Sequence, residues 1–202
     1  MICTIVCGAP CTDFEILKNL AEGYIIAADR GLDYCLKAGI KPDLAVGDFD
    51  SAENAVPAGI ECVRVSPIKD DTDAALAADL ALERGYRELR FLCALGGRFD
   101  HSFANIQMLY KLKNSGIKAE LYGDGEKAYF AVNESVNIPK NNGFLSVFSY
   151  GESTEISEDG VKYPLDHKII KNDFALGVSN EILGEIAKIT VHSGAALIVE
   201  TV

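Results

Sequence analysis

The chain has 202 residues, with 30 Asp and Glu against 19 Lys and Arg and a formal net charge of −11. That acidity excludes a nucleic-acid binder, which needs cationic surface to neutralise phosphates, and an electrostatic membrane anchor. The length suffices to bury a core without a disulfide or structural metal, no apolar run approaches the ~20 residues of a spanning helix, and Met1–Val6 does not read as a signal peptide.

Up to about Gly123, apolar runs alternate with amphipathic stretches. Strands are expected at Ile2–Cys7, Tyr24–Ala28, Leu44–Val46, Glu61–Val65, Leu89–Leu95 and Ile117–Tyr122. Helices are expected at Thr12–Leu20, Gly31–Ala38, Thr72–Arg84 and His101–Asn114. The third carries a small-residue face of Ala74, Ala77, Ala78 and Ala81; the fourth carries Ile106, Leu109 and Tyr110 as an apolar stripe. This alternation predicts an α/β three-layer, mostly parallel, Rossmann-like sheet over 1–123. Residues 124–202 hold no long helical pattern. Short β-rich segments are expected near Ala128–Val132, Phe144–Tyr150, Thr154–Ile156, Val161–Tyr163, Phe174–Gly177, Glu185–Val191 and Ala196–Val202, with turn signals between them. A small all-β sandwich or jelly-roll-like domain follows. The six cysteines lie in the first half, with no zinc-type spacing. They suit a reducing, cytoplasmic setting. Cys3, Cys62 and Cys93 sit in apolar runs that read as strands, where a free cysteine behaves as a small hydrophobe.

The aspartates fall in a pattern. Asp29 follows one predicted strand; Asp48 and Asp50 follow the next. Asp70, Asp71 and Asp73 follow the fourth after a short loop, and Asp100 follows the fifth after Gly96-Gly97. In a parallel sheet the C-terminal ends of the strands share one edge, where ligands bind. Carboxylates crowded there need a cation, and a donor set nearly free of His and Cys selects Mg²⁺ or Mn²⁺. Asp48 and Asp50 share one side of an extended segment, although a solvated turn accounts for them equally well. Thr72 or Asp71 is a natural helix N-cap; capping accounts for one or two of the acids in Lys69–Asp73, not for three beside a lysine. In Gly96–His101 the glycines admit close approach of a ligand, Arg98 offers a guanidinium fork to phosphate, and Asp100 is a cap, a metal ligand or a base. Walker, strand-linked G-x-G-x-x-G and G-x-S-x-G motifs are absent.

Taken in order, Ala28-Asp29-Arg30-Gly31, Pro42 to Ser51 (PDLAVGDFDS), Lys69 to Asp73 (KDDTD), Gly96 to His101 (GGRFDH), Gly160 to Leu165 (GVKYPL) and Gly177 to Glu181 (GVSNE) resemble the thiamine pyrophosphokinase family over nearly the whole chain. The resemblance implies a homodimeric, Mg²⁺-dependent enzyme. It moves a pyrophosphoryl group from ATP to the hydroxyl of thiamine and releases AMP. It also implies roles. Asp48, Asp50, Asp73 and Asp29 would hold Mg²⁺, with Asp71 near it. Arg30, Lys69, Thr72, Gly97 and Arg98 would bind the nucleotide phosphates. Asp100 would orient or deprotonate the thiamine hydroxyl, Asp71 and Arg98 would complete the catalytic set, and Ser179 and Asn180 would contact the aminopyrimidine. From the residues alone, Ser179-Asn180 reads as a β-turn. The residues also admit a Mg²⁺-dependent phosphohydrolase, with Asp48 as nucleophile and Asp50 as acid/base. A non-catalytic nucleotide or thiamine sensor and an acidic structural protein are the remaining readings.

Overall fold

The computed structural model describes residues 1–49, 55–65 and 72–201, and its packing falls into two units, Met1–Asp124 and Gly125–Val202. In the first, the elements run β1 (Ile2–Val6), α1 (Phe14–Leu20), β2 (Tyr24–Ala28), α2 (Gly31–Lys37), β3 (Leu44–Gly47), β4 (Glu61–Arg64), α3 (Asp73–Glu83), β5 (Glu88–Leu92), α4 (Phe99–Asn114) and β6 (Lys118–Gly123). The strands lie in the order β6-β5-β1-β2-β3-β4, and their mutual pairings are parallel. The chain therefore builds outward from β1 to β4, crosses back through α3, and continues on the other side of β1. Central strands are apolar on both faces, as helix-covered strands must be: Cys3, Ile5 and Val6 of β1, Ile26 and Ala27 of β2, and Leu44 to Val46 of β3 are sealed from solvent.

The alanine face of α3 is its buried face, at Ala74, Ala77, Ala78 and Ala81. Methyl-sized side chains there let the helix pack close to the strands. Its N-cap is Thr72, whose Oγ1 accepts from the Ala75 N–H at 3.2 Å, satisfying one of the orphan donors of the first turn. Helix α1 starts two residues later than its pattern predicts. Asp13 Oδ1 accepts from the Glu15 and Ile16 N–H groups at 3.0 and 2.9 Å, while Thr12 donates its hydroxyl to Asp124 at 2.7 Å. Strand β5 stops at Leu92 rather than Leu95, because Cys93 takes a φ of 53° and turns the chain out of the sheet. Cys62 is exposed, not buried, since β4 ends the strand order.

The second unit is all β: β7 (Glu126–Val132), β8 (Ser135–Pro139), β9 (Leu145–Ser149), β10 (Ser153–Asp159), β11 (Leu165–Lys171), β12 (Gly177–Asn180), β13 (Ile186–Ser193) and β14 (Ala195–Thr201). They form two antiparallel layers, ordered β12-β9-β14-β7 and β11-β10-β13-β8. Both layers feed one core, with Leu145, Val147 and Ile198 from the first and Ile138, Ile156 and Ile189 from the second. Two strands carry too few buried side chains for pattern reading to find. β8 buries Ile138 alone, and β11, which ends its layer, buries Ile170 alone. Conversely, the stretch expected as a strand from Phe174 is a turn leading into β12, with Phe174 68% exposed. The one expected around Val161 makes an isolated bridge to Ile182. Among the described residues, no helix is long and apolar enough to cross a membrane.

Candidate functional site

β1 and β5 are neighbours whose onward connections lead to opposite ends of the strand order. At such a switch point the loops part beyond the C-terminal strand ends and leave a crevice. A cleft of about 480 Å³ lies there. Its walls are the loop after β1 (Cys7 to Pro10), Asp29 and Arg30 after β2, Gly96 to Arg98 after β5, Thr72 and Asp73 at the start of α3, and one side of α4.

The backbone around it is held tightly. A Cβ on Gly31 would lie 1.9 Å from the Val6 carbonyl oxygen, so the start of α2 rests directly on the end of β1. A Cβ on Gly97, where φ is 67°, would lie 2.7 Å from the Pro10 ring. Asp29 itself has a φ of 47°, and its N–H donates to the Val46 carbonyl at 2.8 Å. Left-handed non-glycine residues such as Asp29 and Cys93 cost energy and gather at functional sites. On α4, Ser102 Oγ accepts from the Gly96 N–H at 3.0 Å and Asn105 Nδ2 donates to the Ala94 carbonyl at 2.7 Å. These two polar residues, one helical turn apart, pin the glycine loop.

Two carboxylates, Asp29 and Asp73, face the cleft together with the cations Arg30 and Arg98. The Arg30 guanidinium lies 5.7 Å from the Tyr34 ring centre, a cation–π contact. Arg98 forms a two-pronged pair with Asp100, at 2.6 and 3.2 Å. That hydrogen bond holds the Asp100 carboxyl below its ordinary range. Both members are exposed, and Asp100 is not among the cleft-lining residues. Asp48 directly follows β3 and does not line the cleft either. Asp50, Lys69, Asp70 and Asp71 lie outside the described residues. The structure thus gathers Asp29, Arg30, Thr72, Asp73, Gly97 and Arg98 of the expected set in one place. Pattern reading missed the loop after β1, Ser102 and Asn105. The switch-point rule applied to Gly8, and the i, i+3 spacing of Ser102 and Asn105, would have signalled them. Burial pushes the Cys7 thiol up to about 12 and raises Cys93 as well, which leaves both cleft cysteines as unreactive thiols.

No group of three His, Cys, Asp or Glu suited to a metal occurs among the described residues. Mg²⁺ that arrives with a nucleotide takes one or two carboxylates plus phosphate oxygens. Asp29 and Asp73, hard oxygen donors on one cleft, fit that mode.

In the second unit, Ser179 is exposed with a φ of 59°, and its N–H donates to Ser146 Oγ at 3.1 Å. Asn180 is 5% exposed. Its Nδ2 donates to Glu158 Oε2 at 2.9 Å and to the Tyr163 carbonyl at 3.0 Å. Its Oδ1 accepts from the Tyr163 and Glu181 N–H groups, each at 3.0 Å. The Glu158–Asn180 bond ties β10 of one layer to β12 of the other.

Residues 17–121 match the family model described as thiamin pyrophosphokinase, catalytic domain, and residues 133–198 match thiamin pyrophosphokinase, vitamin B1 binding domain. The chain belongs to the thiamine pyrophosphokinase family. It is 31% identical to the thiamine pyrophosphokinase of Bacillus subtilis (strain 168), across 98% of this chain and 97% of that one. A crystal structure of thiamine pyrophosphokinase from Bacillus subtilis covers 100% of this chain and is itself covered to 99%, with a TM-score of 0.90 at 27% identity. The thiamin pyrophosphokinase of Candida albicans shares the fold, with a TM-score of 0.79 at 17% identity over 100% of this chain and 90% of that one. The catalytic-domain match falls inside the first unit, which holds the cleft, and the vitamin B1 match inside the second.

Proposed function

We propose that the chain transfers the terminal pyrophosphoryl group of ATP to the hydroxyl of thiamine, giving thiamine diphosphate and AMP. The observation that carries this reading is the switch-point cleft, where two carboxylates and two guanidinium groups meet helix starts and glycine-rich backbone. Phosphoryl-type transfer is mostly positioning and charge neutralisation, and these groups supply both. Asp29 and Asp73 would hold Mg²⁺, joined in the family assignment by Asp48 and Asp50, and the ion would supply neutralisation of phosphate charge. Arg30 and Arg98 would bind the phosphates, with backbone N–H groups of Thr72 and Gly97; Lys69, outside the described residues, has the same role by the family resemblance. Asp100 orients the attacking hydroxyl, and Asp71, outside the described residues, is assigned a catalytic role by the family resemblance. The hold of Arg98 on Asp100 makes it a weak base at rest, so its role is to aim the hydroxyl. The phosphohydrolase alternative leaves the Gly96–His101 loop and the second unit without work.

The remaining assignments belong to the same reading. The strand order with its reversal between β1 and β5 supports a Rossmann-like first domain with catalysis in it. The two layers around one core support a jelly-roll-like second domain that binds thiamine. Exposed apolar side chains on the second unit, including Ile169, Phe174 and Leu183, support a homodimer. The free cysteines support a cytoplasmic setting. The test is an assay with thiamine, ATP and Mg²⁺. AMP and thiamine diphosphate should form in equal amounts and only with thiamine present. Phosphate release independent of thiamine would overturn the assignment.

A further inference from the structure

We infer that His101 is the base of the proposed transfer: its imidazole takes the proton of the thiamine hydroxyl as that oxygen attacks the β-phosphorus. This rests on the proposed function and adds a catalytic residue to it. The transfer forms one O–P bond and breaks the bond from the β-phosphorus to the bridging oxygen, whose electron pair leaves with AMP. The hydroxyl proton needs a separate destination. Asp100 is a poor one, because Arg98 holds its carboxyl low and it is not among the cleft-lining residues.

His101, the next residue, lines the cleft and is exposed, so a substrate can reach it. Its backbone is held firmly. The His101 N–H donates to Asp100 Oδ1 at 3.1 Å, and Asn105, one helical turn on, anchors α4 to the Ala94 carbonyl. Among the described residues of the lining, the other polar groups are unsuited to the task. Arg30 and Arg98 keep their protons and carry no acceptor. Asp29 and Asp73 are the pair assigned to Mg²⁺. Ser102 and Asn105 are bound to the glycine loop and its approach. Burial keeps the Cys7 and Cys93 thiols protonated. Imidazole is the side-chain type that takes up and gives back a proton near neutrality, and a base must do both. The charged groups around it are Asp29 and Arg30 after β2, Asp73 at the start of α3, Arg98 after β5 and Asp100 on its own helix. An imidazolium formed during transfer gains from the carboxylates and from the phosphate oxygens. Because His101 is exposed, it then passes its proton to water.

The test follows AMP formation by the full chain against pH, with thiamine, ATP and Mg²⁺. Wild-type kcat should fall as the pH is lowered and solvent protonates the imidazole. His101→Gln keeps a hydrogen-bonding side chain but cannot take up a proton. Its kcat should drop on the order of 10²-fold with both KM values little changed, and the acid limb of the wild-type profile should disappear. His101→Ala should regain part of its rate when imidazole is added to the medium. Both variants alter an exposed side chain, and circular dichroism checks that they fold. Glu158, in the second unit, also changes charge in acid, because burial raises its carboxyl to about 6. It is present in wild type and variants alike, so the difference between their profiles belongs to His101. A His101→Gln kcat close to the wild-type value would overturn the inference. So would a lowered kcat that keeps the wild-type acid limb, which would make His101 a positioning residue only. A wild type that makes no thiamine-dependent AMP defeats the proposed function itself, and the inference with it.

Discussion

Asp73 does two jobs that its sequence position alone confounds. An acid in the first turn of α3 complements the helix dipole, and the same carboxylate faces the cleft. Asp73→Asn keeps the shape and removes the charge. AMP formation should fall on the order of 10²-fold while the folded state persists by circular dichroism; turnover near the wild-type rate would refute the metal-holding role. Asp100 presents the opposite case. Its depressed carboxyl stabilises the fold above its unfolded pKa and loses that contribution as pH falls, but the pair with Arg98 is exposed and screened. Asp100→Asn should therefore leave Tm at neutral pH unchanged while lowering turnover. Glu158 carries the reverse sign. A carboxyl raised from 4.5 to about 6 is most favourable protonated, so its contribution is present below its unfolded pKa and is lost as pH rises through 6, by about 2 kcal/mol. Glu158→Gln should flatten the dependence of stability on pH between 4.5 and 6.5; an unchanged slope would contradict the burial argument. Asp29 and Asp73 could be placed from sequence because they follow apolar runs that end on one sheet edge. The saturation of Asn180 could not, because its partners Tyr163 and Glu158 are distant in the chain and meet it through tertiary packing.

Helices and strands of the first unit follow from periodicity because each buries a continuous face, as the alanines of α3 show. Periodicity cannot set their ends. Those are decided by single backbone and capping events: the left-handed Cys93 closing β5, Asp13 taking over the cap of α1, Thr72 opening α3. In the second unit the same reading fails at β8 and β11, where one buried side chain per strand leaves no alternation to detect. It also mistakes the apolar but exposed Phe174 turn for a strand. Two substitutions probe how α2 and α3 are seated. Thr72→Ala removes the cap bond to the Ala75 N–H and should lower unfolding free energy by about 1 kcal/mol in urea titration. Gly31→Ala drives a methyl into the Val6 carbonyl and should cost about 3 kcal/mol or more. A neutral result there would mean that α2 can lift off β1.

The charge of the chain as a whole, −11, governs how partners approach. Thiamine is a cation, and the field of an acidic protein raises its local concentration. Its KM should increase as NaCl is raised from 0.01 to about 0.2 M, because the Debye length shrinks from roughly 30 Å to below 10 Å. An ionic-strength-independent KM would show that the surface charge plays no part in capture. Sequence reading used the acidity to exclude nucleic acid; the fold refines this by setting part of it, Asp29 and Asp73, on a cleft where it meets cations.

The outward position of Cys62 has a practical consequence. Cys3, Cys7, Cys35 and Cys93 are buried and Cys11 is half-buried, with burial raising the thiol of each. Cys62 alone is exposed, on the strand that ends the sheet order. A thiol-reactive dye at neutral pH should therefore attach at one position of the unmodified polypeptide. The label would sit on a strand that contributes nothing to the cleft lining, so it should leave nucleotide binding undisturbed.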